Sequence, residues 1–152
     1  MTANRLKLNS GKTEILHITS KFLRSSSPVQ AIQIGSEEVN TVSSARNLGV
    51  ICDSNLTMIK HVNNICRAAN FALYKIGQIR KYLDQVTAAK LVHAFISSRL
   101  DCCNGMLFGL PERELDKLQQ VQNAAARMVA LVKKRHHISP VLQALHWLPV
   151  RK

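Results

Sequence analysis

Hydrophobic and polar positions follow two different rhythms along this chain. Up to about residue 55 the runs are short. Residues 13–18 alternate apolar and polar side chains with β-branched content, as a half-buried strand does. Asn9, Ser10 and Gly11 just before them are a turn signal. Residues 31–34 and 38–42 flank Gly35 and Ser36, which predicts a hairpin. The Ser-rich stretch 21–28 predicts a loop. Residues 48–52 form a short apolar run, closed by Asp53, Ser54 and Asn55.

The period then lengthens. From Met58 onward apolar residues recur at Ile59, Val62, Ile65, Cys66, Ala69, Ala72, Leu73, Ile76, Ile79 and Leu83. Spacings of three and four place them on one face of a long helix, with Asn55 or Thr57 as its N-cap. Asp84 and Gln85 break the pattern. A second helix is predicted from about Val86, with Leu91, Val92, Phe95 and Ile96 on its apolar face. Residues 101–109 fit either a continued helix or a loop. Gly109, Leu110 and Pro111 are a break. A third helix is predicted from Glu112, its acids placed where the positive helix end favours them. Its apolar face is Leu115, Leu118, Val121, Gln122, Ala125, Met128, Val129 and Val132. A short fourth helix, 139–146, takes Ser139 as N-cap and Pro140 as first helical residue. Strands first and helices after predict an α+β fold, a small antiparallel β segment at 1–55 followed by a helical bundle at 56–152.

Charge changes this picture more than size does. The chain has 152 residues, 46% of them hydrophobic, and no apolar run near the roughly 18 residues of a membrane span. Its 21 Lys and Arg outnumber 9 Asp and Glu, a formal charge of +12. That excess favours an anionic partner, nucleic acid before an acidic membrane surface. It is also unevenly placed. Residues 56–83 carry Lys60, Arg67, Lys75, Arg80 and Lys81 and no acid. After Asp116 there is no acid at all, while Lys117, Arg127, Lys133, Lys134, Arg135, Arg151 and Lys152 follow. The bland reading of such residues is a solvated helix face; the sharper one is a surface that tracks phosphates. With 5% aromatic residues, a large base-stacking platform is not expected.

Candidate chemistry is sparse. Six histidines and four cysteines form no CxxC, HxxxH or HExxH spacing, so no metal site is predicted. Cys66 sits on the apolar helix stripe and reads as core. The sequence Ser10-Gly11-Lys12-Thr13 lacks the upstream glycine of a phosphate loop, and a strand follows it rather than precedes it. Asp53 and Asp101 stand alone, and no acids pair convincingly to hold the two divalent ions of polymerisation or hydrolysis. No secretory signal precedes the cysteines, since residues 1–7 lack an apolar stretch. A disulfide framework is therefore not expected, and the expected location is intracellular, nucleus or cytoplasm.

Several stretches together resemble a known family. Residues 6–14 (LKLNSGKTE) resemble the LKLNxxKTE segment that follows the catalytic strands in reverse transcriptases of non-LTR (LINE-type) retrotransposons, of the jockey-like and chicken-repeat-like clades. Residues 46–53 (RNLGVICD) resemble the family's next motif, RNLGVxxD, and residues 93–104 (HAFISSRLDCCN) its HAFxxSRLDYCN. Gly109-Leu110-Pro111, residues 118–127 (LQQVQNAAAR) and residues 137–150 (HISPVLQALHWLPV) follow in the family's order. The resemblance covers nearly the whole chain.

The resemblance implies a C-terminal palm-and-thumb fragment of an RNA-directed DNA polymerase. The family's catalytic carboxylates lie in an FADD or YADD box upstream of the LKLN segment, and this sequence has no such box. Magnesium is thus expected only in the full-length enzyme, and no cofactor in this chain. Lys12 matches the lysine of the family's motif D, a general acid for the leaving pyrophosphate, and Asn9 shapes its loop. Leu48, Gly49 and Val50 match a hairpin that resembles a primer grip. Residues from about 57 onward match the thumb, which holds template and primer by the backbone. The implied partners are an RNA template and DNA primer, or an RNA–DNA duplex. The implied backbone contacts are Lys60, Arg67, Lys75, Arg80, Lys81, Arg127, Lys133, Lys134 and Arg135. Cys102 departs from the family's tyrosine, which puts local packing there in question. The alternative is a basic helical module that binds nucleic acid or protein without enzymatic activity.

Overall fold

A computed structural model describes residues 9–20, 29–35 and 37–150. The expected loop at 21–28, the first residues of the LKLN segment, Ser36 of the hairpin turn, and Arg151 and Lys152 lie outside the described residues. The fold is mixed α+β, with small N-terminal sheets followed by helices. The chain divides into two compact units between Lys60 and His61.

Among the described residues the first unit holds five strands in two sheets. The strands are β1 (Ile15–Leu16), β2 (Ala31–Ile34), β3 (Glu37–Val42), β4 (Ser44–Asn47) and β5 (Val50–Asp53). β2 and β3 pair antiparallel with Ile34 opposite Glu37, as the turn signal at Gly35 predicts, and Gly35 takes a positive φ of 64°. β1 runs parallel to β3 with Ile15 opposite Thr41. It is far shorter than the alternation over 13–18 suggests, because it is hydrogen-bonded on one side only, and just Ile15 and Leu16 meet β3. The polar strand β4 has no signature in the apolar pattern. It pairs antiparallel with β5 with Asn47 opposite Val50, so Leu48 and Gly49 form the two-residue turn rather than the start of a strand.

Asp53 ends β5 and starts the next helix. Its carboxylate accepts from the backbone amides of Asn55 (3.1 Å), Thr57 (3.1 Å) and Met58 (3.1 Å) and from the Thr57 hydroxyl (2.9 Å). The expected caps, Asn55 and Thr57, are therefore mainly donors here. Thr57 Oγ1 also accepts from Ile59 N, at 3.5 Å. An acid at this end satisfies orphan amides and complements the helix dipole. Leu56 and Met58 take positive φ of 50° and 57° to close this corner.

The second unit is helical. Its elements are α1 (Ile59–Ile79, whose first two residues belong to the first unit), α2 (Gln85–Val92), α3 (Ser98–Asp101), α4 (Glu112–Ala130) and α5 (Ser139–Ala144). α1 and α4 run side by side in the same direction. Lys117 Nζ donates to Asn63 Oδ1 at 3.2 Å near their starts, and Arg80 reaches Met128 and Val129 near their ends. Val62, Ile65, Ala69, Leu73 and Ile76 of α1 meet Leu118, Val121, Ala125 and Val129 of α4 in one aliphatic core. Such close-packed aliphatic burial is the main stabilising contribution of the unit.

Local details differ from the periodic reading. α2 begins at Gln85, with Asp84 as its N-cap accepting from Thr87 N at 3.4 Å. Its C-terminal end passes into a π-helical turn, His93–Ser97, and then α3. The wider turn brings Val92, Ile96 and Leu100 into register inside the core and leaves Phe95, expected on the apolar face, half exposed. Ile79 is likewise turned outward as α1 tightens into a 3-10 turn at Arg80–Tyr82. The stretch after Asp101 is a left-handed Cys103 (φ 57°) followed by a 3-10 turn at Asn104–Leu107. Ser139 is the first residue of α5, whose N-cap position, Ile138, carries no side-chain cap. The chain after α5 is strapped to α4. Gln122 Nε2 donates to the Leu148 carbonyl and Val150 N donates to Gln119 Oε1, each at 2.8 Å. Trp147 meets the His93 ring edge-on at 5.3 Å.

Candidate nucleic-acid interface

The helical unit carries a basic groove between α1 and α4. Two adjoining cavities of about 570 Å³ and 560 Å³ share Ala124, Arg127 and Lys134. The first is walled by Cys66 and Asn70 of α1 and by Lys117, Gln120 and Asn123 of α4. The second extends toward Gly77, Arg80 and Lys81 on one side and Leu131, Val132 and Lys133 on the other. Neither lining contains an acid. Thus Arg80, Lys81, Arg127, Lys133 and Lys134, which lie far apart in sequence, border one continuous depression.

The cations in this groove are not equivalent. Lys117 is already engaged by Glu114 Oε2 at 2.8 Å and Asn63. Glu114 is buried, and Arg113 Nε also lies 3.4 Å from its carboxylate. Arg127 is half-buried, and its Nε is a buried donor with no hydrogen-bond partner among the described residues. An unpaired guanidinium donor in such a place is costly. Burial pushes the Cys66 thiol up; Lys117 opposes this and Glu114 adds to it. The thiol therefore stays neutral and puts no negative charge on the wall. The amides of Asn70, Gln120 and Asn123 add uncharged donors, which a charge count along the sequence does not reveal.

Arg80 departs from its expected role. It is buried, and its guanidinium donates to the carbonyls of Met128 (2.8 Å), Val129 (2.8 Å) and Leu83 (2.7 Å). The bonds to Met128 and Val129 close the C-terminal end of α4 and the third ties down the chain after Arg80's own 3-10 turn, so Arg80 frames the groove rather than reaching into it.

Of the other expected contacts, Lys60, Arg67, Lys75 and Arg135 lie outside the groove lining, whereas Lys81 borders it. Arg67 and Arg135 are exposed. Lys75 Nζ sits over the Phe71 and Tyr74 rings at 5.6 and 5.9 Å, and Lys81 Nζ over Tyr82 at 4.7 Å. Contacts of this kind at exposed sites contribute about 0.5–1 kcal/mol each. Lys60 donates to Ser44 Oγ at 3.0 Å in the first unit. There too, Lys12 is exposed at the end of a 3-10 turn, Ser10–Lys12. Asn9 closes that turn through its backbone carbonyl, which accepts from Lys12 N at 3.1 Å and Thr13 Oγ1 at 2.8 Å. Leu48 and Gly49 stand at the β4–β5 tip with φ of 46° and 91°, while Val50 is buried. Among the described residues no group of three or more His, Cys, Asp or Glu is arranged to hold a metal ion, and no helix is long and apolar enough to cross a membrane.

No protein-family model matches this chain, and neither curated proteins nor solved structures yield a match.

Proposed function

We propose that this chain is a palm-and-thumb portion of a non-LTR retrotransposon reverse transcriptase, and that its helical unit grips an RNA–DNA template–primer duplex by the phosphate backbone. The observation that carries the reading is the acid-free groove, which Arg127, Lys133 and Lys134 line together. The six motifs in family order support it from the sequence side. A groove of flexible lysines and one half-buried arginine suits phosphates, which position a duplex without reading its bases. Lys12 would serve as general acid only where the carboxylate-held magnesium ions of the full enzyme are supplied.

The test is the affinity of the purified chain for an RNA–DNA duplex as a function of salt. Log affinity is expected to fall with log salt at a slope of about −0.9 per phosphate contacted. Arg127→Gln and Lys134→Gln are each expected to reduce that slope by about 1 and to weaken all duplex sequences alike. A salt-independent affinity overturns the reading. Template-primed nucleotide incorporation by this chain with magnesium is expected to be nil, and measurable incorporation overturns the inactive-fragment part.

The second reading is a helical protein-interaction module, favoured by Phe108 and Leu148, which are 95% and 75% exposed. Apolar side chains so placed bury little in this chain and suit another surface. Light scattering separates the two, because apolar association persists at high salt whereas phosphate binding does not.

A further inference from the structure

The outer face of α1 carries a second surface that the groove does not use. The core of the helical unit is aliphatic, and all five described Phe and Tyr residues are half exposed or more. Three of them sit on α1 and its 3-10 extension: Phe71, Tyr74 and Tyr82, at 63%, 62% and 76% exposure. Arg67, Phe71, Tyr74 and Gln78 follow one another at i, i+4, i+7 and i+11, so they share one face. That face lies opposite Val62, Ile65, Ala69, Leu73 and Ile76, which fill the core. From Arg67 to Tyr82 the stripe extends about 22 Å at 1.5 Å per residue.

We infer that this stripe binds unpaired nucleotides, stacking bases on Phe71, Tyr74 and Tyr82 while Arg67, Lys75 and Lys81 meet the intervening phosphates. Rings open to solvent provide the π-faces on which any base stacks without regard to sequence. The cations stand at those same rings, with the Lys75 and Lys81 ammonium groups 4.7–5.9 Å from the ring centroids. An exposed cation–π contact is weak. An arriving base displaces the ammonium from the ring, and the strand's next phosphate takes it up. The charge of the stripe chooses this occupant over an apolar protein face. Residues 56–83 hold five basic residues and no acid, so a neutral apolar partner would have to desolvate the lysines with nothing to pair them. A strand of alternating π-faces and phosphates satisfies both.

The three rings line neither part of the groove, and of the stripe's residues Lys81 alone also borders the groove, so removing the rings leaves the groove's lining intact. The probes are a labelled single-stranded oligouridylate and a blunt RNA–DNA duplex of the same length, bound to the full 152-residue chain at fixed salt. The triple variant Phe71→Ala, Tyr74→Ala, Tyr82→Ala is expected to lose on the order of tenfold or more in single-strand affinity. Its duplex affinity and the salt slope for both ligands are expected to stay unchanged, since no charge is removed. Phe71→Leu, which keeps apolar area but not the π-face, is expected to weaken single-strand binding as Phe71→Ala does, and Tyr74→Phe to preserve it. Unchanged melting curves show that the variants fold. Arg127→Gln is expected to show the opposite selectivity, weakening the duplex more. The inference is overturned if the triple variant binds the single strand like the parent, or loses both ligands equally. It is equally overturned if Phe71→Leu keeps full affinity, or if the triple variant's only effect is to dissolve a self-associated form seen by light scattering.

Discussion

The guanidinium of Arg80 donates through Nε to the carbonyl oxygen of Met128, 48 residues further along the chain, at 2.8 Å. Its Nη2 takes the neighbouring Val129 carbonyl, also at 2.8 Å, and Nη1 turns back to Leu83. α4 ends without glycine: Leu131 takes φ 53°, and Val132 N donates to the Arg127 carbonyl at 3.1 Å. Arg80 supplies what that ending leaves unsatisfied, and it places a positive charge where the helix dipole is negative. Arg80→Ala is expected to destabilise the helical unit by about 2–4 kcal/mol, because it strands buried carbonyls as well as removing charged hydrogen bonds. Arg80→Lys is expected to recover only part, since one ammonium cannot match the planar fork. Urea unfolding followed by circular dichroism measures both. A change below 0.5 kcal/mol, roughly that of an ordinary surface substitution, contradicts this role.

Asp53 sets a pH dependence. Burial pushes its carboxyl up, but the Thr57 amide and hydroxyl and the Asn55 and Met58 amides together hold it below the usual carboxylate value. A lowered folded value means stability that is fully present above the unfolded value, about 3.9, and lost as pH falls through the folded one. Stability at neutral pH is expected to fall by about 1–2 kcal/mol in Asp53→Ala. Asp53→Asn is expected to flatten the acid side of the stability curve below the unfolded carboxyl's value of about 3.9. Parallel acid limbs for parent and Asn variant would refute the assignment.

Leu48 occupies the first turn position between β4 and β5 with φ 46°, almost fully exposed. A branched apolar side chain gains nothing there, and the left-handed region costs a non-glycine residue about 1 kcal/mol. Leu48→Asn, creating the preferred Asn-Gly turn, is expected to raise stability by up to about 1 kcal/mol. Gly49→Ala is expected to lower it, since φ 91° disfavours a Cβ. If the hairpin touches a primer as its motif implies, Leu48→Asn will weaken template–primer binding while stabilising the fold. A denaturation midpoint and a binding curve on the same variant decide that.

The four cysteines are free. Cys102 and Cys103 are exposed with sulfurs 3.9 Å apart, and the Cys102 side chain's hydrogen bond pushes the Cys103 thiol up, with its charge adding. Cys66 is pushed up by burial in the groove wall. A thiol reagent is expected to modify Cys102 and Cys103 first and Cys66 later, with Cys66 reaction speeding up as pH rises. Peptide mapping over a time course tests the order; early Cys66 modification would contradict its burial.

Much of the helical architecture is legible locally. α4 begins at Glu112 as predicted, because its apolar period, acidic first turn and preceding proline all agree. The α1 core positions follow from spacing for the same reason. β4 is invisible in the apolar pattern, because its polar residues are a strand only by pairing with β5. Phe95 was misplaced because a π-helical turn changes the period on which the face was drawn. The candidate groove was half legible. Its charges stand out in the chain, but its amides and the unpaired Arg127 donor do not.

The sequence by itself determined the α+β order, the helical periods, the excess of positive charge and the acid-free segments, since propensity, spacing and charge are properties of neighbours along the chain. Only the tertiary structure decided what each cation does. Arg80 closes the end of another helix, Lys117 reaches across to Asn63 of α1, and Arg127 lines the groove. The physical reason is that a charge takes its role from the partners folding brings within hydrogen-bonding distance, and for Arg80 those partners lie on a helix that begins some thirty residues later.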